Sequence, residues 1–479
     1  MFTCKKIRNG STYLRTHLSA NDYYCGHEQV SGIWVGKGAE RLGIAGQAIG
    51  KEDKAFEALR LNQHPDGSGK LTPRNAKDSI RFFDFQCAPE KSVSIMAVMM
   101  EDRRLYDAHD RASRAALTEL ERFAAIQTGQ GRRKHFETTG NICAAAFRHD
   151  ASRELDPQLH THFVIANATW DPVSQRWLAL QTHDIFKAIR YCGKVYQNAL
   201  ARECRNLGYE IEMVRKKKGL VEGFEIKGVS EELRQRFSKR RAEVEAAIEQ
   251  FVAERGRQPS PAEISQMASE TRSDKLREIS TPEVRQYQRS QLSSSELAAL
   301  ESLQSQALNR SVERIGSIEP TTLDILANGR ALMQARDHLY ERHSVLKGHQ
   351  ILAEALNQSL GSLDVGSLKH CLTHDSSGLT RLAETSRNPL LSCQWASNRG
   401  LELERWSVEF VNQTQGSCSH LGTIEGVEFD FKSEEQRAAV LETLQTTDRV
   451  YAIRGCARAG KTTCLQEIHK GLEALGRTA

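Results

Sequence analysis

The sequence predicts an α+β protein in three parts: an antiparallel sheet bearing a three-histidine metal site, a helical segment, and an incomplete P-loop α/β domain. Three observations predict it. Residues 159–166, LHTHFVIA, form a β-rich run with two histidines two apart, which an extended strand presents on one face. After about residue 225 the pattern turns largely helical and polar. Near the end, residues 455–462 read GCARAGKT, a G-x4-G-K-T phosphate loop.

The elements follow in order. Tyr13 lies in STYLRTHLSANDYYCG, with Tyr23 and Tyr24 about ten residues later, an aromatic density high for a chain with 6% Phe, Trp and Tyr. A phenol with a pKa near 10 attacks at neutral pH only with a polarised electrophile, a nearby base, or both. Asp84 is the candidate base. It alternates with Phe83 and Phe85 in RFFDFQ, which places Asp84 and Gln86 on one strand face and the phenylalanines on the other. Residues 105–126 carry Leu105, Ala108, Ala112, Ala116, Leu120 and Phe123 near helical spacing, predicting an amphipathic helix.

His149 ends a short apolar run, ICAAAFRH, and the following DASRELDPQ contains the Asp and Pro of a turn. If that run pairs with LHTHFVIA as a hairpin, His149, His160 and His162 converge on one side. Three neutral imidazoles hold a divalent cation and leave coordination positions open, as Lewis-acid catalysis requires. Their softness suits zinc, manganese or nickel, and magnesium with several waters is compatible.

Further along, YEIEMV and GFEI predict a hairpin whose connection is RKKKG. Residues 293–306, SSSELAALESLQSQ, read as a soft boundary, followed by helix-rich residues 335–356. VYAI then predicts a strand before the phosphate loop and LQEIHKGLEAL a helix after it. In that context backbone N–H groups between Gly455 and Gly460 cradle phosphate, Lys461 pairs with it and Thr462 reaches magnesium, so ATP is the expected ligand. Only 18 residues follow Lys461. The segment therefore predicts no ATP-driven unwinding by this polypeptide.

Composition narrows the class. The chain is 39% hydrophobic and 27% charged, an ordinary soluble balance, and 479 residues predict two or three domains. A net charge of +5 is too mild to diagnose a nucleic-acid partner, but basic residues cluster at 132–134, 215–218 and 239–241. Eleven cysteines without a CxxC pair, and no apolar run of membrane-spanning length, predict a reduced, cytoplasmic protein with no membrane insertion.

Taken in order, Tyr13, Asp22-Tyr23-Tyr24, VGKGAERLGI (35–44), Asp84 in FDFQCAPEKSVS and HD-x9-HTH-x4-N from His149 to Asn167 resemble the motifs of conjugative relaxases of the TrwC/TraI (MobF) family. The similarity continues through LGYEIE, GFEIKGVS and FSKRRAEVEAA to about residue 290. One departure is that Leu14 follows Tyr13 where relatives often carry two adjacent tyrosines. SEEQRAAV with Gln436 resembles the adenine-reading segment of superfamily 1, RecD-like helicases, here truncated.

The resemblance implies an HUH-type relaxase fold. It implies metal-dependent nicking of single-stranded or hairpin DNA at an origin of transfer, with Tyr13 left joined to the 5′-phosphate and Tyr23, or Tyr24 in reserve, serving a second strand transfer. Accessory DNA-binding proteins and a coupling protein are the implied partners. The implied division is a relaxase domain at 1–292, a helix-rich linker and small helicase N-terminal domain at 293–425, and a P-loop segment at 426–479. The competing readings are a rolling-circle replication initiator, usually shorter, and a non-catalytic DNA- or ATP-binding remnant.

Overall fold

A computed structural model describes residues 2–7, 19–21, 25–29, 32–50, 52–73, 79–129, 134–215, 221–271, 280–314, 322–382, 389–420, 426–456 and 459–477. Tyr13, Tyr23, Tyr24, Arg132, Arg133 and residues 216–218 lie outside these. The chain divides into two units, Met1–Trp395 and Ala396–Ala479.

In the first unit the alternating runs pair into one sheet. Strands β1 (Phe2–Ile7), β2 (Gly32–Val35), β3 (Ala48–Ile49), β4 (Phe82–Cys87), β5 (Ala144–Ala151) and β6 (Pro157–Ala166) lie in the order β1-β4-β6-β5-β2-β3, each pair antiparallel. Period-two alternation sorts their side chains. Phe83, Phe85 and Cys87 of β4, with Leu159, Phe163 and Ile165 of β6, face a core completed by helices α1 (Lys91–Met99), α2 (Arg103–Glu121) and α3 (His183–Asn206). Phe82, Ala145, Phe147, Val164 and Ala166 face the other way, onto a smaller core with Trp34, Phe56 and Trp177. The candidate site shares this second face.

Two glycines let the chain after β2 approach β5. Gly36 has φ 95°, a left-handed region that side chains disfavour. Gly38 N donates to Ile142 O at 2.8 Å, and a Cβ there would stand 2.6 Å from the Ile142 carbonyl carbon.

The structure departs from the sequence reading at two places, residues 122–126 and 450–453. The helix expected over 105–126 stops at Glu121, because Ala124 O accepts from Thr139 N at 2.8 Å and Ala125–Thr128 pairs with His135–Thr138 instead. The serine run at 293–306 opens and forms helix Ser294–Arg314. Ser293 Oγ accepts from Glu296 N at 3.2 Å while Ser293 N donates to Glu296 Oε2 at 2.8 Å, reciprocal capping that starts the helix. Residues 450–453, expected as a strand, pair with no strand among the described residues.

The hairpin Ile211–Arg215/Val221–Ile226 forms as expected. Helices Thr322–Tyr340, Gly348–Gln358 and Val365–Thr373 belong to the first unit. They are held to α2 and α3 by Asn198, which accepts from Gly361 N at 2.9 Å and donates to Leu363 O at 2.8 Å, and by the Lys369–Glu119 ion pair. In the second unit, helices Glu434–Gln445 and Lys461–Ala474 pack through Val440, Leu444, Cys464 and Ile468.

Candidate metal centre and active site

The β5–β6 hairpin turns through residues 152–156, where Ser152 N donates to Asp156 O at 2.9 Å and Ser152 Oγ accepts from Asp156 N at 3.1 Å. The register is Pro157 opposite Ala151, then an irregularity, then His160 opposite His149 and His162 opposite Phe147. Directly opposed residues share a face, so the three histidines project together. Their ring centroids are 5.3 Å (His149–His160), 5.6 Å (His149–His162) and 5.2 Å (His160–His162) apart. Three imidazoles bound to one tetrahedral ion at about 2.1 Å have centroids separated by roughly 5 Å, so the triangle fits such an ion. Among the described residues no group of three His, Cys, Asp or Glu side chains is already posed to hold one. All three histidines are buried.

The neighbours of the rings select their tautomers. His162 Nδ1 lies 2.8 Å from Asp84 Oδ1, and a carboxylate can only accept, so the proton sits on Nδ1 and the lone pair on Nε2. His160 Nδ1 donates to Gln158 O at 2.9 Å with the same result. Oriented imidazoles of this kind are typical of metal ligands. Asp84 therefore has a definite partner. The sequence placed it beside a nucleophile; in the fold it holds His162.

Sequence reasoning missed the far side of β6. Thr161, between the two histidines, points to the helical face, where its Oγ1 lies 2.8 Å from His109 Nε2; His109 Nδ1 lies 2.8 Å from Tyr196 Oη. Burial pushes His109 down to about 3, assisted by nearby His160 and Arg148, so the ring is neutral. A signal existed. His109 stands beside Ala108 and three before Ala112 on the stripe that buries α2.

Of the basic clusters, residues 239–241 are committed internally. Lys239 Nζ lies 3.5 Å from Asp156 Oδ1, Arg240 reaches the carbonyls of Ala268 and Thr271, and Arg241, on the surface, pairs with Glu245 at 2.7 Å. Asn167, the last residue of the histidine motif, donates to Ile80 O at 2.8 Å and ties the end of β6 to the approach to β4.

In the second unit, Gly460 has φ 78° and precedes the helix that begins at Lys461. Lys461 Nζ donates to Gly455 O and Cys456 O, both at 2.8 Å. Gln436 Nε2 donates to Ala459 O at 3.1 Å, linking helix Glu434–Gln445 to the loop. Thr462 is exposed.

Residues 7–295 match the family model described as TrwC relaxase. Two curated relatives are both multifunctional conjugation protein TraI. One, from Escherichia coli, is 35% identical over 193 residues, 38% of this chain and 11% of the relative. The other, from Escherichia coli strain K12, is 30% identical over 227 residues, 45% of this chain and 12% of the relative. The aligned stretch thus spans only about a tenth of their length. Among solved structures, the conjugative relaxase TrwC in complex with mutant oriT DNA is 28% identical with a TM-score of 0.51, covering 63% of this chain and 98% of that one. TrwC complexed with a 27-mer DNA comprising the recognition hairpin and the cleavage site is 28% identical with a TM-score of 0.50, at the same coverage.

Proposed function

Since the chain belongs to the TrwC relaxase family, we propose that it nicks one strand of origin-of-transfer DNA by tyrosine transesterification and later rejoins it. The observation that carries this reading is the convergence of His149, His160 and His162 with Asp84 on one face of the sheet. TrwC, to which this chain is similar, has been captured with DNA comprising a recognition hairpin and a cleavage site.

The three histidines would hold a divalent cation, magnesium, manganese or zinc, which when bound supplies Lewis-acid stabilisation of charge on a phosphate oxygen. Asp84 keeps His162 in the ligating tautomer through Oδ1, and its carboxylate would take or position the phenolic proton of Tyr13. The Tyr13 oxygen attacks phosphorus, the bond to the 3′ oxygen breaks, and that oxygen leaves as a hydroxyl after gaining a proton. One phosphodiester replaces another. The 3′-hydroxyl can therefore reverse the step without ATP. Tyr23, with Tyr24 in reserve, would serve a second transfer. Strand Ser19–Asn21, which closely precedes Tyr23 and Tyr24 in sequence, lies against the strand carrying His149, and this supports their part in the reaction.

Residues 1–292 would be the transesterase, 293–425 a helix-rich linker and small helicase N-terminal domain, and 426–479 a P-loop helicase/ATPase segment taking ATP through Gly455, Gly460, Lys461 and Thr462. Accessory DNA-binding proteins and a coupling protein would be its partners, and the cytoplasm its location. No helix among the described residues is long and apolar enough to cross a membrane.

The test is incubation with labelled single-stranded origin DNA and a divalent cation, followed by mass spectrometry of the trapped phosphopeptide. A covalent adduct on Tyr13, lost in Tyr13→Phe with oligonucleotide binding preserved, is the expected result. An adduct on Tyr23 or Tyr24 overturns the nucleophile, and no adduct at all overturns the activity in favour of a non-catalytic DNA-binding protein.

A further inference from the structure

The strand segment that carries His160 and His162 is held from behind. Between Pro157 and His160 the ladder with β5 loses its regular register, as strands often do beside functional sites. Leu159 N there donates to Ser94 Oγ of α1 at 3.2 Å. The local irregularity also lets Gln158 O accept from His160 Nδ1. Two residues on, Thr161 pairs along its backbone with Arg148 on one side and Cys87 on the other. Its hydroxyl meets His109 Nε2 at 2.8 Å, and the opposite nitrogen of that ring meets Tyr196 Oη of α3, also at 2.8 Å. The His109 and Tyr196 rings meet edge-on at 5.7 Å. His109 and Tyr196 are both wholly inaccessible to solvent.

We propose that His109 is a positioning residue for the metal centre: through Thr161 it sets the depth and roll of β6, and so the direction in which His160 and His162 point. This rests on the metal-centre reading above. The physical argument is one of alternation. Thr161 lies between the two histidines on the opposite face, so any displacement of Thr161 toward or away from α2 carries both histidines with it in the same sense. A buried ring satisfied at both nitrogens resists that displacement, because breaking either bond strands a hydroxyl and a ring nitrogen without water. The nitrogen facing Tyr196 anchors the ring; the nitrogen facing Thr161 does the positioning.

That division predicts which substitution is tolerated. A Gln amide nitrogen occupies the place of a histidine Nε2, and an Asn amide nitrogen that of Nδ1. His109→Gln therefore preserves the Thr161 contact, whereas His109→Asn preserves the Tyr196 contact and releases Thr161. Thr161→Val removes the hydroxyl at the other end while keeping a β-branched side chain suited to the strand.

The experiment uses the full chain, Mn²⁺ and Zn²⁺ calorimetry, and ¹⁵N-histidine spectra of the metal-free protein. His109→Asn and Thr161→Val should each weaken metal binding by about tenfold to a hundredfold, as loss of outer partners generally does. Combining them should add little. His109→Gln should remain near wild type. In metal-free spectra, His160 and His162 should be Nδ1–H tautomers in wild type and His109→Gln, and average between tautomers in His109→Asn and Thr161→Val. Unchanged affinity and tautomers in His109→Asn and Thr161→Val, whatever their melting temperatures, overturn the proposal. So does equal loss in His109→Gln and His109→Asn, which would mean simple packing. If wild type binds neither metal, the metal-centre reading fails by itself, and the tautomer comparison alone decides whether His109 positions the strand.

Discussion

Asp84→Asn isolates the contact that orients the triad. The His162–Asp84 bond is 2.8 Å long, with the two side chains only 11% and 8% exposed. A charge-assisted hydrogen bond shielded to this degree contributes about 1.5–3 kcal/mol. Divided by about 1.4 kcal/mol per factor of ten, that is roughly a tenfold to hundredfold change in an equilibrium constant. The amide offers two orientations with different consequences. With Oδ1 toward His162 the tautomer survives and only the charge is lost, which sets the lower end. With Nδ2 toward it, Nδ1 must accept, the proton moves to Nε2, and the lone pair needed for a cation disappears. Calorimetric titration with Zn²⁺ and Mn²⁺ should therefore show affinity reduced at least about tenfold, with Asp84→Ala no better. The fold should persist, since Phe83 and Phe85 still anchor β4 in the helical core. Wild-type metal affinity in Asp84→Asn would refute both the tautomer argument and the assignment of His162 as a ligand.

Further outcomes follow from other contacts. His349 is held at about 4, below its usual value, by burial and by Lys347; its unfolded value is near 6.5, so its contribution is intact above that pH and lost as pH falls toward 4. The slope should be about 1.4 kcal/mol per pH unit and the total about 3 kcal/mol, and urea unfolding between pH 7.5 and 4.5 should show a shallower acid loss in His349→Phe; parallel curves would contradict this. Lys369→Met removes the partner of buried Glu119, leaving it Tyr191 Oη at 2.8 Å and Arg122 Nε at 3.2 Å. It should cost about 3 kcal/mol in chemical denaturation, and a change below a few tenths would show that the ion pair contributes nothing. Gly38→Ala presses a methyl group against the Ile142 carbonyl, 2.6–2.7 Å away, and should lower stability by about 2 kcal/mol; an unchanged melting temperature would mean that the backbone there yields freely.

Much of the site was legible because strand chemistry is periodic. The two-residue spacing of His160 and His162 placed both rings on one face, and the alternation of Phe83, Asp84 and Phe85 placed the carboxylate opposite its aromatic neighbours, before any fold was known. The hairpin at 211–226 was equally local. Partners distant along the chain were not legible. Asp84 is 78 residues from His162, the bond between them depends on β4 lying beside β6, and local periodicity does not carry sheet order. The same holds for His109, whose two partners come from a strand and a helix 52 and 87 residues away. By itself, then, the sequence determined which side chains share a face. Only the tertiary structure decided which faces meet, because strand neighbours and helix contacts arise from long-range burial of surfaces that many local patterns can supply.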